Sequence, residues 1–178
     1  MAWNLVIGIC EVFMFKVAIL TISDRGSKGE RKDSSGPLIE EMVKDLPAQI
    51  IHYEIIPDEK EQIVKALKRC ADELKADLIL TTGGTGLSPR DVTPEATLEI
   101  IKKEVPGFSE AMRAESLKKT PHAMISRAIC GIRGSSLIVN LPGSPKSVKE
   151  NLNVILPALP HALSKLKGDP SECAQSRN

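Results

Sequence analysis

At 178 residues the chain is most simply one domain, long enough to bury a substantial core. Its 24 basic and 23 acidic residues leave a formal charge of +1, which excludes the strong global field of a nucleic-acid or membrane-surface binder. The aromatics are Trp3, Phe13, Phe15, Tyr53 and Phe108 alone, too few for base-stacking platforms, so the core must be aliphatic.

Ala2 to Ile22 is largely apolar and about as long as a membrane span. Asn4, Glu11 and Lys16 interrupt it and no basic segment precedes it, so a signal or anchor role is disfavoured. Residues 1–13 then read as an N-terminal extension, and Phe15–Ile22 as a central strand buried on both faces. A charged, glycine-bearing loop follows, from Ser23-Asp24-Arg25-Gly26 through Asp33. Ser35-Gly36-Pro37 opens a helix in which Leu38, Ile39, Met42, Val43 and Leu46 recur at helical spacing, until Pro47 stops it. Gln49 to Ile56 reads as the second strand. Asp58-Glu59-Lys60-Glu61 has the pattern of a capping box, which makes Asp58 a helix cap by pattern alone. Ile63, Leu67, Cys70, Ala71 and Leu74 form the buried stripe of the helix that follows.

Asp77 to Thr82 is the third strand, and it runs into Gly83, Gly84 and Gly86 among the hydroxyls of Thr81, Thr82, Thr85 and Ser88. Glycines allow positive φ or close backbone approach, and free N–H groups with hydroxyls suit an anionic ligand. The loop carries Asp91 and ends at Thr93-Pro94-Glu95, read as N-cap, first helical residue and acid of the first turn. The span from Thr81 to Thr93 exceeds the roughly 2–6 residues of an ordinary βα turn, which favours a ligand loop.

Pro94 to Lys103 is helical by period, Pro106-Gly107 breaks it, and Ser109 to Lys119 is another helix with Met112 and Ser116 on one face. Met124–Ile132 and Ser136–Leu141 flank Arg133-Gly134-Ser135 as a hairpin. The second of these strands delivers Pro142-Gly143-Ser144-Pro145-Lys146 before a helix near Ser147, a second strand–glycine loop–helix junction. Val148, Leu152 and Ile155 mark its stripe, Pro157 and Pro160 kink or restart it, and Leu159, Leu163 and Leu166 continue it. Residues 169–178 read as a tail, leaving 14–168 as the domain.

Alternating elements of this kind predict a three-layer α/β/α sandwich around a mainly parallel, mixed sheet. The loops at Ser23, Asp58, Gly83 and Gly143 should then converge at the carboxyl edge. The carboxylates falling there are Asp24, Asp58 and Asp91. They could hold Mg²⁺ together with ligand phosphates, or accept hydrogen bonds from a ribose or heterocycle. With the glycines and the helix termini, they fit a phosphorylated ligand plus a metal, and Arg25, Arg90 and Lys146 are candidate cations. A P-loop is absent, because no glycine of the loop precedes Lys-Ser/Thr. The dinucleotide fingerprint fails too, because Gly84-Thr85-Gly86-Leu87-Ser88 ends in Pro89. There is no Gly-x-Ser-x-Gly elbow. Cys10, Cys70, Cys130 and Cys173 are dispersed, which fits a reduced, cytoplasmic compartment. His52, His122 and His161 are equally scattered, against a dedicated zinc site.

Thr81-Thr-Gly-Gly-Thr-Gly86 followed by Arg90-Asp-Val-Thr-Pro94 closely resembles the MogA/MoaB family of molybdenum-cofactor biosynthesis, which includes the G domains of gephyrin and its plant counterparts. Leu20-Thr-Ile-Ser-Asp24, Ile56-Pro-Asp58, Ser126-Arg127 and Leu141-Pro-Gly-Ser-Pro-Lys146 match in family order, over about Phe15 to Gly168. The resemblance implies the molybdopterin-binding fold and a molybdopterin adenylyltransferase. Such an enzyme takes ATP and molybdopterin with Mg²⁺ and yields adenylylated molybdopterin and pyrophosphate. It further implies Asp58 and Asp91 as the mechanistic aspartates, with Mg²⁺ on them. Nucleotide and pterin contacts would come from Ser23, Asp24, Gly83, Gly84, Thr85, Gly86, Ser116, Pro142, Gly143 and Ser144. A homotrimer and a partner enzyme that inserts molybdenum are implied as well, with no nucleic acid and no membrane. A non-catalytic, MoaB-like molybdopterin-binding or scaffold module is the alternative, and a nucleotide-dependent oxidoreductase a weaker one.

Overall fold

The computed structural model describes residues 14–170, so the N-terminal extension and all but the first two residues of the C-terminal tail lie outside the described residues. Six strands form one sheet in the order β2-β1-β3-β6-β5-β4. They are β1 (Phe15–Ile22), β2 (Ala48–Ile56), β3 (Leu78–Thr82), β4 (Lys103–Glu104), β5 (Cys130–Arg133) and β6 (Ser136–Leu141). The first three and β6 pair in parallel, while β5 pairs antiparallel to β6 and to β4. The sheet is therefore mixed, as the hairpin pattern requires.

Alternation along the strands sorts the core into two halves. Val17, Ile19, Leu78, Leu80, Val139 and Leu141 face one side. There they meet α2 (Ser35–Val43), α5 (Pro106–Leu117), α6 (Pro145–Ile155) and α7 (Leu159–Leu166). Ala18, Leu20, Ile79 and Ile138 face the other side, against α3 (Lys60–Lys68) and α4 (Thr93–Ile100). Helices on both faces bury every residue of β3 and β6, which explains why those strands read as continuous apolar runs. No helix among the described residues is long and apolar enough to cross a membrane.

Several sequence expectations are corrected. Asp24–Ser27 is a short helix, α1, not open loop, because the Ser23 side chain caps it by accepting from the Gly26 amide at 3.1 Å. The helix after Thr93 stops at Ile100, and Lys103 enters the edge strand β4 instead of lying in its last turn. Pro106 opens α5 at its first turn rather than separating two elements. The strand expected from Met124 shrinks to Cys130–Arg133, because Thr120 caps a 3₁₀ turn over Pro121–Ile125. Met124 is 71% exposed, so its apolar character reports no core strand. Around Pro157 the chain passes through a 3₁₀ turn, Leu156–Ala158, and restarts as α7, as the prolines predict.

One polar group lies at the centre of the sheet. Asn140, fully buried in β6, donates to Thr81 Oγ1 on β3 and Thr97 Oγ1 on α4, both at 3.0 Å. Thr97 donates to the Thr93 carbonyl, and Thr93 Oγ1 donates to the Gly83 carbonyl, so the network ends in the glycine loop. Asn140→Ala should destabilise the protein by about 2–3 kcal/mol, by leaving buried hydroxyls short of a partner. Denaturant unfolding checks this through a lower midpoint at unchanged slope, and a loss under about 0.5 kcal/mol would show that the network carries little.

Candidate active site

Four strand-to-helix loops meet at the carboxyl edge. At Gly83 and Gly84 the chain takes φ of 99° and 63°, the left-handed region that glycine tolerates. Space demands glycine there as well. A Cβ on Gly83 would run into the Ile22 carbonyl at the end of β1, and one on Gly84 into Thr93 Oγ1. The Gly83 amide donates to Leu141 O at 3.3 Å and Thr82 Oγ1 to Pro142 O at 2.7 Å, which ties the glycine loop to the turn after β6. Ser144 closes that turn as the N-cap of α6, accepting from the Ser147 amide.

Asp58 is not the cap of α3. Glu59 holds that position with no side-chain bond, and the Asp58 carboxylate turns to the loop after β1, accepting from the Asp24 amide at 2.8 Å. Asp24 returns the interaction, its Oδ1 accepting from the Asp58 amide at 3.1 Å. The other Asp58 oxygen faces the glycine loop, 3.2 Å from where a Gly84 Cβ would stand. Asp91 accepts from the Ser88 amide at 2.8 Å through Oδ2, which also lies 2.9 Å from a Cβ placed on Gly86.

Two cavities open from these loops. One, of about 330 Å³, is lined by Ser23, Asp58, Gly83, Gly84, Asp91, Gly143 and Ser144 with Arg31, Lys32 and Asp33. The second, of about 390 Å³, is lined by Gly84, Thr85, Gly86, Asp91, Ser116, Pro142, Gly143 and Ser144 with Arg113, His122 and Asn151. They share Gly84, Asp91, Gly143 and Ser144, so Asp91 stands on their common wall. Of the ligand-contact and mechanistic residues that the resemblance implies, Asp24 alone lines neither cavity. Its carboxylate is taken by Arg90, whose Nη2 and Nε reach it at 2.8 and 3.1 Å.

The cations are the larger surprise. Arg90 is held by Asp24 and Glu59, and neither Arg25 nor Lys146 lines a cavity. Arg31, Lys32 and Arg113 do instead. Arg113 was findable, since it precedes Ser116 by three positions on α5 and shares its face. Arg31 and Lys32 sit in an irregular charged stretch that no periodicity marks. Asp33 was missed as well. Its carboxylate accepts from Thr21 Oγ1 at 2.5 Å, Tyr53 Oη at 2.6 Å and the Ser35 and Gly36 amides. Ser35 Oγ in turn donates to the Gly143 carbonyl at 2.9 Å, so Asp33 anchors one wall of the first cavity to the opposite one. Burial pushes the Asp33 carboxyl up, but these donors outweigh it and hold the group below its ordinary value.

The electrostatics set Asp58 apart. Burial, helped by the negative charges of Asp24 and Asp91, raises its pKa against the pull of the Asp24 amide and Arg90. Asp24 goes the other way, held down by its hydrogen bonds to Arg90. Asp58 and Asp91 on this edge are carboxylates of a kind that can take a cation. Among the described residues no three acidic, histidine or cysteine side chains gather into a metal cage. Mg²⁺ needs none, because it is usually held by one or two carboxylates with waters and ligand phosphates completing its shell. Among the described residues Asp58 and Asp91 each accept one hydrogen bond, leaving carboxylate lone pairs for a metal.

Fold and site together define an α/β domain whose sheet edge sets glycine-loop backbone beside paired acids, a setting suited to an anionic ligand. Residues 18–161 match the family model described as "Probable molybdopterin binding domain", and the chain belongs to that family. It is 46% identical over 155 residues to the molybdopterin adenylyltransferase of Helicobacter pylori J99, covering 86% of this chain and 88% of that protein. It is 45% identical to 23% of the length of gephyrin from Dictyostelium discoideum, with 86% of this chain covered. The crystal structure of the molybdopterin biosynthesis enzyme MoaB from Thermus thermophilus superposes with a TM-score of 0.84 at 52% identity, covering 89% of this chain and all of that one.

Asp58 gives a pH-dependent test of this charge balance. A carboxyl with a raised folded-state pKa stabilises the fold fully below its unfolded pKa and loses that contribution as pH rises through the folded value. Asp58→Asn, which can still accept from the Asp24 amide, should therefore melt about 1–4 °C above wild type at pH 7. The gap should close as the pH falls through the Asp58 titration, as thermal melts from pH 7 to 4 would show.

Proposed function

We propose that the protein acts in molybdenum-cofactor biosynthesis as a molybdopterin adenylyltransferase, transferring AMP from ATP to the molybdopterin phosphate with Mg²⁺ and releasing pyrophosphate. The observation that carries this reading is the shared wall. Two cavities, each sized for a small ligand, meet at Gly84, Asp91, Gly143 and Ser144. Two phosphorylated substrates seated one in each would bring their phosphates together beside Asp91. The adenylyltransferase relative supports the same chemistry.

In the reaction an oxygen of the pterin's terminal phosphate forms a bond to the α-phosphorus of ATP, and the bond from that phosphorus to the bridging oxygen of pyrophosphate breaks. No covalent enzyme group is needed, so the protein's task is alignment and charge neutralisation. Asp58 and Asp91 would hold Mg²⁺, which when bound neutralises phosphate charge. The glycine loop lets the ligand approach main-chain donors without a side chain between them. Arg31 and Lys32 in one cavity, and Arg113 in the other, supply positive charge for the phosphates.

The protein is further read as a cytoplasmic homotrimer that passes its product to a molybdenum-inserting enzyme. Leu87 and Met124, 65% and 71% exposed, suit burial against another copy. Cys70 and Cys130 are buried free thiols, raised by burial to about 11 and about 12, which suit a reducing compartment without requiring one. A sizing measurement should give about three times the 19.3 kDa chain mass.

Asp91→Asn keeps an oxygen for the Ser88 amide while removing the charge. With molybdopterin, ATP and Mg²⁺, pyrophosphate release should fall at least roughly 10²-fold with the melting profile unchanged. Wild-type turnover in that variant would sink the assignment of Asp91. Molybdopterin binding by the wild type with no pyrophosphate release would instead mark a binding module.

A further inference from the structure

Arg127 lies outside both cavities, yet its donors are directed at the loop that carries Asp91 and at the helix that follows it. Its backbone amide donates to the Thr85 carbonyl at 3.0 Å, and its Nε to the Gly86 carbonyl at 2.7 Å. Its Nη2 donates to the Asp91 carbonyl, and its Nη1 pairs with Glu95 in the first turn of α4. One planar guanidinium thus grips the start of the loop, its end and the helix beyond. Between the grips, among the described residues, the loop is tied outward by the Arg90 side chain alone, which reaches Asp24 and Glu59 at the rim. Leu87, Ser88, Pro89 and Arg90 are all exposed, and the ties within it are those of Ser88 with Asp91 and with the Arg90 amide. A segment with so few packed contacts opens locally at low cost unless something holds its ends.

We propose that Arg127 is a positioning residue for adenylyl transfer, fixing the Gly86–Asp91 loop so that the Asp91 carboxylate is set on the wall between the two cavities. This rests on the reading of Asp91 given above. The residues just before Arg127, Ile125 and Ser126, line the second cavity. The same strap therefore couples the wall of that cavity to the acid that both cavities share. Lysine cannot substitute, because an ammonium is a point charge and the acceptors here surround a rigid fork.

Arg133 supplies the comparison. It is a strap of like construction, with Nε and Nη2 on Asp72 and Nη1 on the Ile100 carbonyl, far from the glycine loop at the start of β6. Arg127→Ala, Arg127→Lys and Arg133→Ala should be compared with wild type by amide hydrogen exchange, steady-state kinetics and thermal melting. Both Arg127 variants should remain folded, and their Ser88 and Asp91 amides should exchange at least about tenfold faster. Turnover should fall by about 10–100-fold, with the substrate KM values moving by less than about threefold. Guanidinium ion should restore part of the turnover of Arg127→Ala, and none of that of Arg127→Lys. Arg133→Ala should lose stability while keeping both the exchange pattern and turnover.

Wild-type exchange at Ser88 and Asp91 in the Arg127 variants would overturn the proposal. So would an equal loss of turnover in Arg133→Ala, which would mean that the effect is one of general stability. If the wild type itself proves inactive, the adenylyltransferase reading fails, and the exchange comparison alone then decides whether Arg127 holds the loop.

Discussion

Gly83 leaves β3 wedged between the ends of its two neighbours, with the Ile22 carbonyl on one side and the turn after β6 on the other. Neighbouring strands lie only about 4.8 Å apart, so three turns leaving the same edge of a parallel sheet compete for the same space. The conflict is resolved by two successive glycines directly after β3, Gly83 and Gly84, both turned through left-handed φ. Gly143 then passes close over Gly83, where a Cβ on Gly143 would stand 3.3 Å from the Gly83 Cα. The consequence for function is direct. Glycine backbone, at Gly84 and Gly143, stands beside Asp91 and Ser144 on the wall that the two cavities share, so main-chain groups are open to a ligand there.

The acids follow from the same crowding. Bringing the loops after β1, β2 and β3 to one point sets Asp24, Asp58 and Asp91 near one another, and Asp58 feels both of the others. A chain selected only for stability would place a cation among them. Here Arg90 is spent at the rim on Asp24 and Glu59, and burial with the charges of Asp24 and Asp91 leaves the Asp58 pKa raised. A perturbed carboxyl in a cleft is characteristic of functional sites.

The layers and most of the strands were legible in the sequence because burial on both faces writes an unbroken apolar run, as in Leu78–Leu80 and Leu137–Val139. The same logic failed at Met124 and Ile125, apolar residues on an exposed turn that imitate the start of a strand. At the site, glycines were readable since each marks a backbone need, and Asp91 was readable from its place on the loop. Asp58 was not. Its spacing to Glu61 fits a capping box, and nothing in the local pattern reveals that its carboxylate faces the loop after β1. Asp33 was hidden for the same reason, its partners being Thr21 on β1 and Tyr53 on β2. Long-range partners leave no period.

What the sequence hides most completely is the support beneath the acids. Asn140 reaches the glycine loop only through Thr97 and Thr93, and Asp33 reaches Gly143 only through Ser35. Arg127 and Arg133 show why residue type is no guide. Both spend a guanidinium on a carboxylate and on carbonyl oxygen, and both lie beside the same strand, β5 or its approach. One closes the junction of two helices and the other closes a loop with an acid on it. The difference between a stabilising contact and one that sets reaction geometry lies in what the far end of the contact holds, and only the folded chain brings that end into view.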